Sequence, residues 1–187
     1  ERMQRNEPIQ SLLKNLRAEV LATTNLPKAI SFILDELNHA GAISTAMRRL
    51  SHYFAPFQAY LVEESENEQG RFDSLTAFTI LQHEADCRAN HLTAAGMFFF
   101  QFEALCRNRL NYDRGLAAMA LDPVYDPAWA RWILSVRHKL GIVDLVDLVY
   151  VHSQHYVNVL RAAAEGEAVD PAEIPADVLF GEKEGRI

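Results

Sequence analysis

Apolar residues recur along this chain at three- and four-residue intervals, and hardly anywhere in strict alternation, so the pattern predicts helix after helix. No Asn-Gly or Asp-Gly turn separates alternating apolar runs, and strand signals are nearly absent. Residues 6–23 read as a first helix with Pro8 in its opening turn, and residues 24–41 as a second, with Asn25 near the cap and Gly41 as the stop. A third runs over 44–66, where Pro56 should kink or split it by removing a backbone donor. The acidic stretch EESENEQG, 63–70, then predicts a solvated turn. Further helices are expected over 72–92, 96–110 and 112–121, the last ending at Asp122-Pro123. Asp126 should cap a seventh, with Pro127 in its first turn and Gly141 as its stop. An eighth covers 142–164, and DPAE at 170–173 carries one more start signal.

The expected fold is therefore all-α: about eight helices packed as antiparallel hairpins, since short connections make neighbours in sequence neighbours in space. One domain is expected over 1–165, with 166–187 as an acidic tail or the start of a further segment. The 142–164 helix should be central, because Ile142, Leu145, Val146, Leu148, Val149, Tyr156, Val159 and Leu160 cover most of its circumference. Asp144, Asp147, Gln154, His155, Asn158 and Arg161 gather on one stripe of it, and His152 alone among the polar residues falls within the apolar arc. In MFFFQF, Phe98 and Phe102 share one side with Leu105, Phe99 faces another, and Phe100 a third; an exposed Phe100 would mark a partner site.

The stretch ALDPVYDPAW, 120–129, resembles the join between successive tetratricopeptide repeats, where a helix closing in Ala-Leu-x-x-Asp-Pro meets one that opens on an aromatic residue. The resemblance covers about ten residues. The small positions of such a repeat fall on Asp113 and Gln101, and no copy recurs at a 34-residue period. It implies helical-hairpin packing.

Composition agrees with a core of useful size: 187 residues, 49% hydrophobic and 23% charged. A formal charge of −7 disfavours nucleic acid as a main partner. The longest nearly uncharged apolar run, residues 92–102, is too short to span a bilayer as a helix, so no membrane partner is expected. Two cysteines without framework spacing suit a reducing, cytoplasmic setting. A chain that opens on Glu1 suggests a fragment, from which a targeting segment could be missing.

Candidate chemistry begins with HEADCRANH, where His83, Cys87 and His91 stand four residues apart. On a helix the outer two lie about 12 Å apart along the axis, against metal–ligand bonds of about 2 Å, so one ion cannot take all three. His-Glu-x-x-His is broken by Cys87. Glu36 and His39 form the only Glu-x-x-His pair, at a helix end where His39 can meet free carbonyls; a di-iron bundle would need a second such pair. Glu103 has Arg107 at i+4. Arg109, on an arc with Phe98, Phe102 and Leu105, should need an acid such as Asp113, and His152 should be a hydrogen-bonded core histidine. No nucleophile elbow or phosphate loop is present, and neither cysteine has a basic motif that would by itself lower its pKa.

These patterns favour a non-enzymatic interaction or scaffold module with no cofactor, whose helices present a groove to another protein chain; sequence does not fix its oligomeric state. The expected binding face is Tyr125, Trp129, Arg131, Trp132 and His138, with at least one indole exposed beside Arg131 or His138. The rival is a metal-dependent or small-molecule enzyme inside the bundle. It would draw ligands from Glu36, His39, His83, Cys87 and His152, or gather three of Glu36, His39, Glu64, His83, Glu84, Glu103 and His152.

Overall fold

The computed structural model describes residues 8–20, 23–67, 70, 72–139, 141–164 and 174–186. Ten helices lie among them: α1 Ile9–Glu19, α2 Leu26–Ala40, α3 Ser44–Arg49, α4 Pro56–Glu66, α5 Ser74–Ala89, α6 Ala94–Arg107, α7 Tyr112–Ala120, α8 Pro127–Lys139, α9 Leu145–Val151 and α10 Gln154–Ala163. The fold is all-α; its only β-type pairing among the described residues is an isolated parallel bridge between Ser153 and Phe180. The DPAE start signal at 170–173 lies outside the described residues.

Local chemistry explains most boundaries. Prolines at 27, 56 and 127 stand in the first turns of α2, α4 and α8, where a missing N–H costs nothing. Side-chain oxygens of Asp73, Thr93, Asn111 and Ser153 accept backbone N–H bonds from Thr76, Gly96, Arg114 and Tyr156. The Thr76 N–H bond holds the Asp73 carboxyl below its ordinary pKa. Asp126 accepts from both Ala128 and Trp129 at 2.9 Å. Gly41 closes α2 in a left-handed conformation, φ 71°.

Two more helices are present than the periodicity predicts, and each extra break has a cause. Pro56 splits the 44–66 segment into α3 and α4. The 142–164 helix breaks at His152 and Ser153, where the Ser153 hydroxyl donates to the Tyr150 carbonyl at 2.7 Å and also caps α10. That segment is not central: within α9 and α10 only Leu148, Val149 and Val157 are buried, while Val146 and Val159 are exposed, as is Ile142 just before α9. Nor is EESENEQG wholly a turn, since Glu63 to Glu66 are helical. Their carboxylates clamp neighbours: Glu63 pairs with Arg48 and Arg114, Glu64 with Arg114, and Glu66 accepts the N–H groups of Ile43 and Ser44.

Successive helices from α1 to α8 pack against one another, as do α9 and α10, and α4 also packs against α7. Helix α4 is the hub. Phe57, Tyr60 and Leu61 face a large aromatic core shared with α6, α7 and α8, while Ala59 and Val62 face a smaller aliphatic one with Ile33, Leu37 and Met47. A helix buried on both sides loses its polar face, which is why α4 shows so little amphipathic pattern. No helix among the described residues is long and apolar enough to cross a membrane.

The α6–α7 crossing is close at Gly115, where an added Cβ would sit 2.6 Å from Leu105 Cδ2. Leu105 is itself fully buried and cannot swing aside. Gly115→Ala would gain about 1 kcal/mol of helix propensity and lose about 1–3 kcal/mol to overpacking. The expected outcome is net destabilisation, measured by urea unfolding.

Candidate functional site

Three features could carry function: a buried polar network, an aromatic pocket filled by the C-terminal segment, and an open apolar groove.

The network joins α4, α5, α6 and the α7–α8 turn. Glu84, Gln101 and Asp122 are 0%, 0% and 1% exposed. Arg88 Nη2 donates to Glu84 Oε1 at 2.9 Å and to Asp122 Oδ2 at 2.5 Å, and Gln101 Nε2 donates to the same two oxygens at 3.0 and 3.1 Å. Gln58 donates to the other Glu84 oxygen, the Val124 N–H to the other Asp122 oxygen, and the Tyr125 hydroxyl to Gln101 Oε1. Burial opposes the charge on Arg88, but the Asp122 hydrogen bond and the charges of Glu84 and Asp122 outweigh it, so its pKa stands above the usual value. Burial pushes the Tyr125 phenol up, keeping it a neutral donor. A cleft of about 390 Å³ beside His91, Leu92 and Val124 reaches Arg88 but not the carboxylates, which no substrate could touch. With both carboxylates bonded at each oxygen the network holds four elements in register, while Arg88 Nε is buried with no acceptor among the described residues.

The candidate ligands of the metal alternative are dispersed. Helix α5 ends at Ala89 and His91 has φ 53°, so it leaves the row of His83 and Cys87. Glu36 pairs with Arg49 at 2.6 Å, and His39 is exposed, its Nδ1 2.7 Å from the Asp35 carbonyl oxygen. Glu64 pairs with Arg114, and Glu103 with Arg107. Among the described residues no three His, Cys, Asp or Glu side chains gather where they could hold a metal. Arg109 lies past the end of α6 with φ 54° and is exposed, contrary to the buried position expected; Asp113 instead pairs with Arg137.

The aromatic face of α8 is buried. Trp129 and Trp132 are 6% and 3% exposed and Tyr125 is buried, so the exposed indole expected beside Arg131 or His138 is absent and these residues do not line an open concavity. What covers the indoles is the chain's own C-terminal segment. Phe180, 2% exposed, packs its ring against Trp129 and Trp132, each 5.0 Å between centroids, and against Phe99 at 5.8 Å and Phe98 at 6.4 Å. Arg131 binds the Asp177 carboxylate at 3.1 and 3.2 Å. His152, half-buried, has Nδ1 3.0 Å from the Asp177 carbonyl oxygen. His138 is exposed on the same helix and takes no part in these contacts. Residues 174–186 of the acidic 166–187 stretch thus pack against α8 and the α9–α10 junction.

The groove lies between α1–α2 and α5, over the smaller core, with a volume of about 340 Å³. Leu13 and Leu16 of α1 and Ile30 and Ile33 of α2 form one wall; Met47, Phe78 and Leu81 contribute to the other. Gln58 is its one polar lining residue among the described residues, and both ends of its carboxamide are engaged, Oε1 by the Ala55 N–H and Nε2 by Glu84. None of these residues stood out in the sequence, because each continues an ordinary apolar stripe; only tertiary placement reveals that the stripe on α1 is half covered. Comparison with models of known protein families, with curated proteins and with solved structures returned no match.

Proposed function

We propose that the chain is a non-enzymatic helical interaction module whose groove between α1–α2 and α5 receives an amphipathic helix of another protein. The observation that carries this reading is the groove's lining, which among the described residues is apolar except for a glutamine with both ends of its carboxamide engaged. A substrate site needs convergent polar groups to orient the reacting bond, whereas a helix-in-groove site needs only receptive aliphatic walls. From Leu13 to Val20 the α1 wall runs about 10 Å at 1.5 Å per residue, room for anchors at i, i+3 or i+4 and i+7 of the guest. Lys14 and Arg17 are exposed on α1 beside these residues, so acidic flanks on the guest helix are favoured.

The test uses two model amphipathic peptides with the same leucine stripe, one flanked by glutamates and one by lysines. The acidic peptide should bind at least tenfold more tightly. Leu16, 45% exposed, can be changed with little effect on folding. Leu16→Asp should reduce that binding by about 2 kcal/mol or more, read by calorimetry, with the melting temperature nearly unchanged. Absence of binding by either peptide, or equal binding to the variant, would remove this reading. Stoichiometric uptake of a fatty acid alone, abolished by Leu16→Asp, would favour the small-molecule rival.

A further inference from the structure

The C-terminal segment is held the way a peptide ligand is held. It meets the body of the protein through main-chain bonds at one short edge: the N–H groups of Leu179 and Phe180 donate to the His152 carbonyl at 2.9 and 3.1 Å, and the Gln154 N–H donates to the Phe180 carbonyl at 2.9 Å. That edge exists because the chain breaks between α9 and α10 at His152 and Ser153, and the N–H of Gln154, the first residue of α10, has no partner within the helix. Main-chain pairing supplies affinity regardless of sequence, and side-chain pockets supply selectivity.

Four side-chain positions are read. Asp177 meets Arg131. Phe180 fills the pocket between α6 and α8. Glu182 lies 2.9 Å from His155 Nδ1 and accepts from Asn158 at 2.8 Å; the His155 bond, then that of Arg186, holds its carboxyl below the ordinary range. Gly185 lies where an added Cβ would come within 2.2 Å of the Ser153 hydroxyl oxygen, and Ser153 is wholly buried. Leu179 between them also packs against the aromatic core, while Val178, Gly181 and Lys183 are exposed. The fit is also incomplete, because Trp132 Nε1 is buried with no acceptor among the described residues. A guest that supplied an acceptor there would bind better than the resident segment.

We infer that the α6–α8 face and the α9–α10 junction form a binding site for protein segments of the pattern Asp-x-Leu-Phe-x-Glu-x-x-Gly whose last four residues make a turn, occupied in this chain by its own copy, residues 177–185. The site is distinct from the open groove, and its test is independent of it. Resident and incoming segments compete. The resident one is tethered through residues 165–173, so it acts at an effective concentration on the order of millimolar. An untethered segment at micromolar concentration therefore gains access only when the resident one is weakened or when it binds more tightly.

The two tryptophans of the chain are the two that line this pocket, so intrinsic fluorescence reports its occupancy directly. The full chain carrying Phe180→Ala is titrated with a synthetic peptide of residues 174–187. Binding should be at least tenfold tighter than to the unaltered chain, and should be lost with a peptide in which alanine replaces the phenylalanine. Folded Phe180→Ala protein that ignores the peptide overturns the inference. Should that variant not fold, a chain with a protease site placed within 165–173 decides: after cleavage, a fluorescently labelled peptide should exchange with the resident segment. Failure to exchange under conditions where the cut chain stays folded would show the segment to be inseparable core.

Discussion

Arg88→Ala is expected to lower unfolding free energy by about 3–5 kcal/mol, a large part of the roughly 5–15 kcal/mol that holds a typical domain. The guanidinium bridges Glu84 and Asp122, which are 0% and 1% exposed and share it as their one cationic partner among the described residues. Without it two carboxylates remain in the interior with only neutral donors, Gln58, Gln101 and the Val124 amide. The penalty is that of uncompensated buried charge, not of one lost bond. One control isolates it. Adding Glu84→Gln to Arg88→Ala should recover part of the loss, because one charge disappears while shape is kept. A loss below about 1 kcal/mol in urea titrations would class Arg88 with ordinary surface ion pairs.

That network also shows where sequence reasoning ends. The pair Glu84 and Arg88 stands at i, i+4, and the same spacing describes Glu103 and Arg107 on the next helix. Glu103 and Arg107 are exposed; Glu84 is fully buried. Nothing local separates them, because the difference is the arrival of Asp122 from 34 residues away and of Gln101 from the neighbouring helix. Helix type, by contrast, was legible nearly everywhere, since caps such as Asp126 and stops such as Gly41 act within one turn. The misjudged ends, at His91 and Arg109, are non-glycine residues in left-handed conformation, for which sequence gives only a weak cue.

The aromatic face on α8 was partly legible for a related reason. Trp129, Trp132 and Arg131 do meet an extended segment with an acid and an aromatic ring. The residue types could not tell that the chain's own C-terminal segment covers the face, because DVLFGEKEG has no helical periodicity and its acidity mimics a solvated tail. The groove was illegible for the opposite reason: its stripes on α1, α2 and α5 are indistinguishable from core stripes until their coverage is known.

The three consecutive phenylalanines of α6 offer the sharpest separation of core from surface. Phe98 is fully buried, and its ring lies 4.8 Å from Trp132, 5.6 Å from Phe99 and Phe102, and 6.2 Å from Trp129. Phe98→Ala therefore removes transfer energy and leaves a void among rigid rings that cannot collapse around it. The expected cost is about 3–5 kcal/mol, which for a domain of this length lowers the melting temperature by roughly 6–20 °C. Phe100 points elsewhere, into the cleft between α5 and α6 that His83 and Glu103 also line, and is only half-buried. Phe100→Ala should cost less than half as much, because the ring already touches water and its loss opens no closed void. Calorimetric melting of the two variants side by side checks the order, and Trp fluorescence should change for Phe98→Ala alone. Equal losses would mean that α6 is rotated from the orientation that seats Phe98 under Phe180, and the aromatic pocket with it.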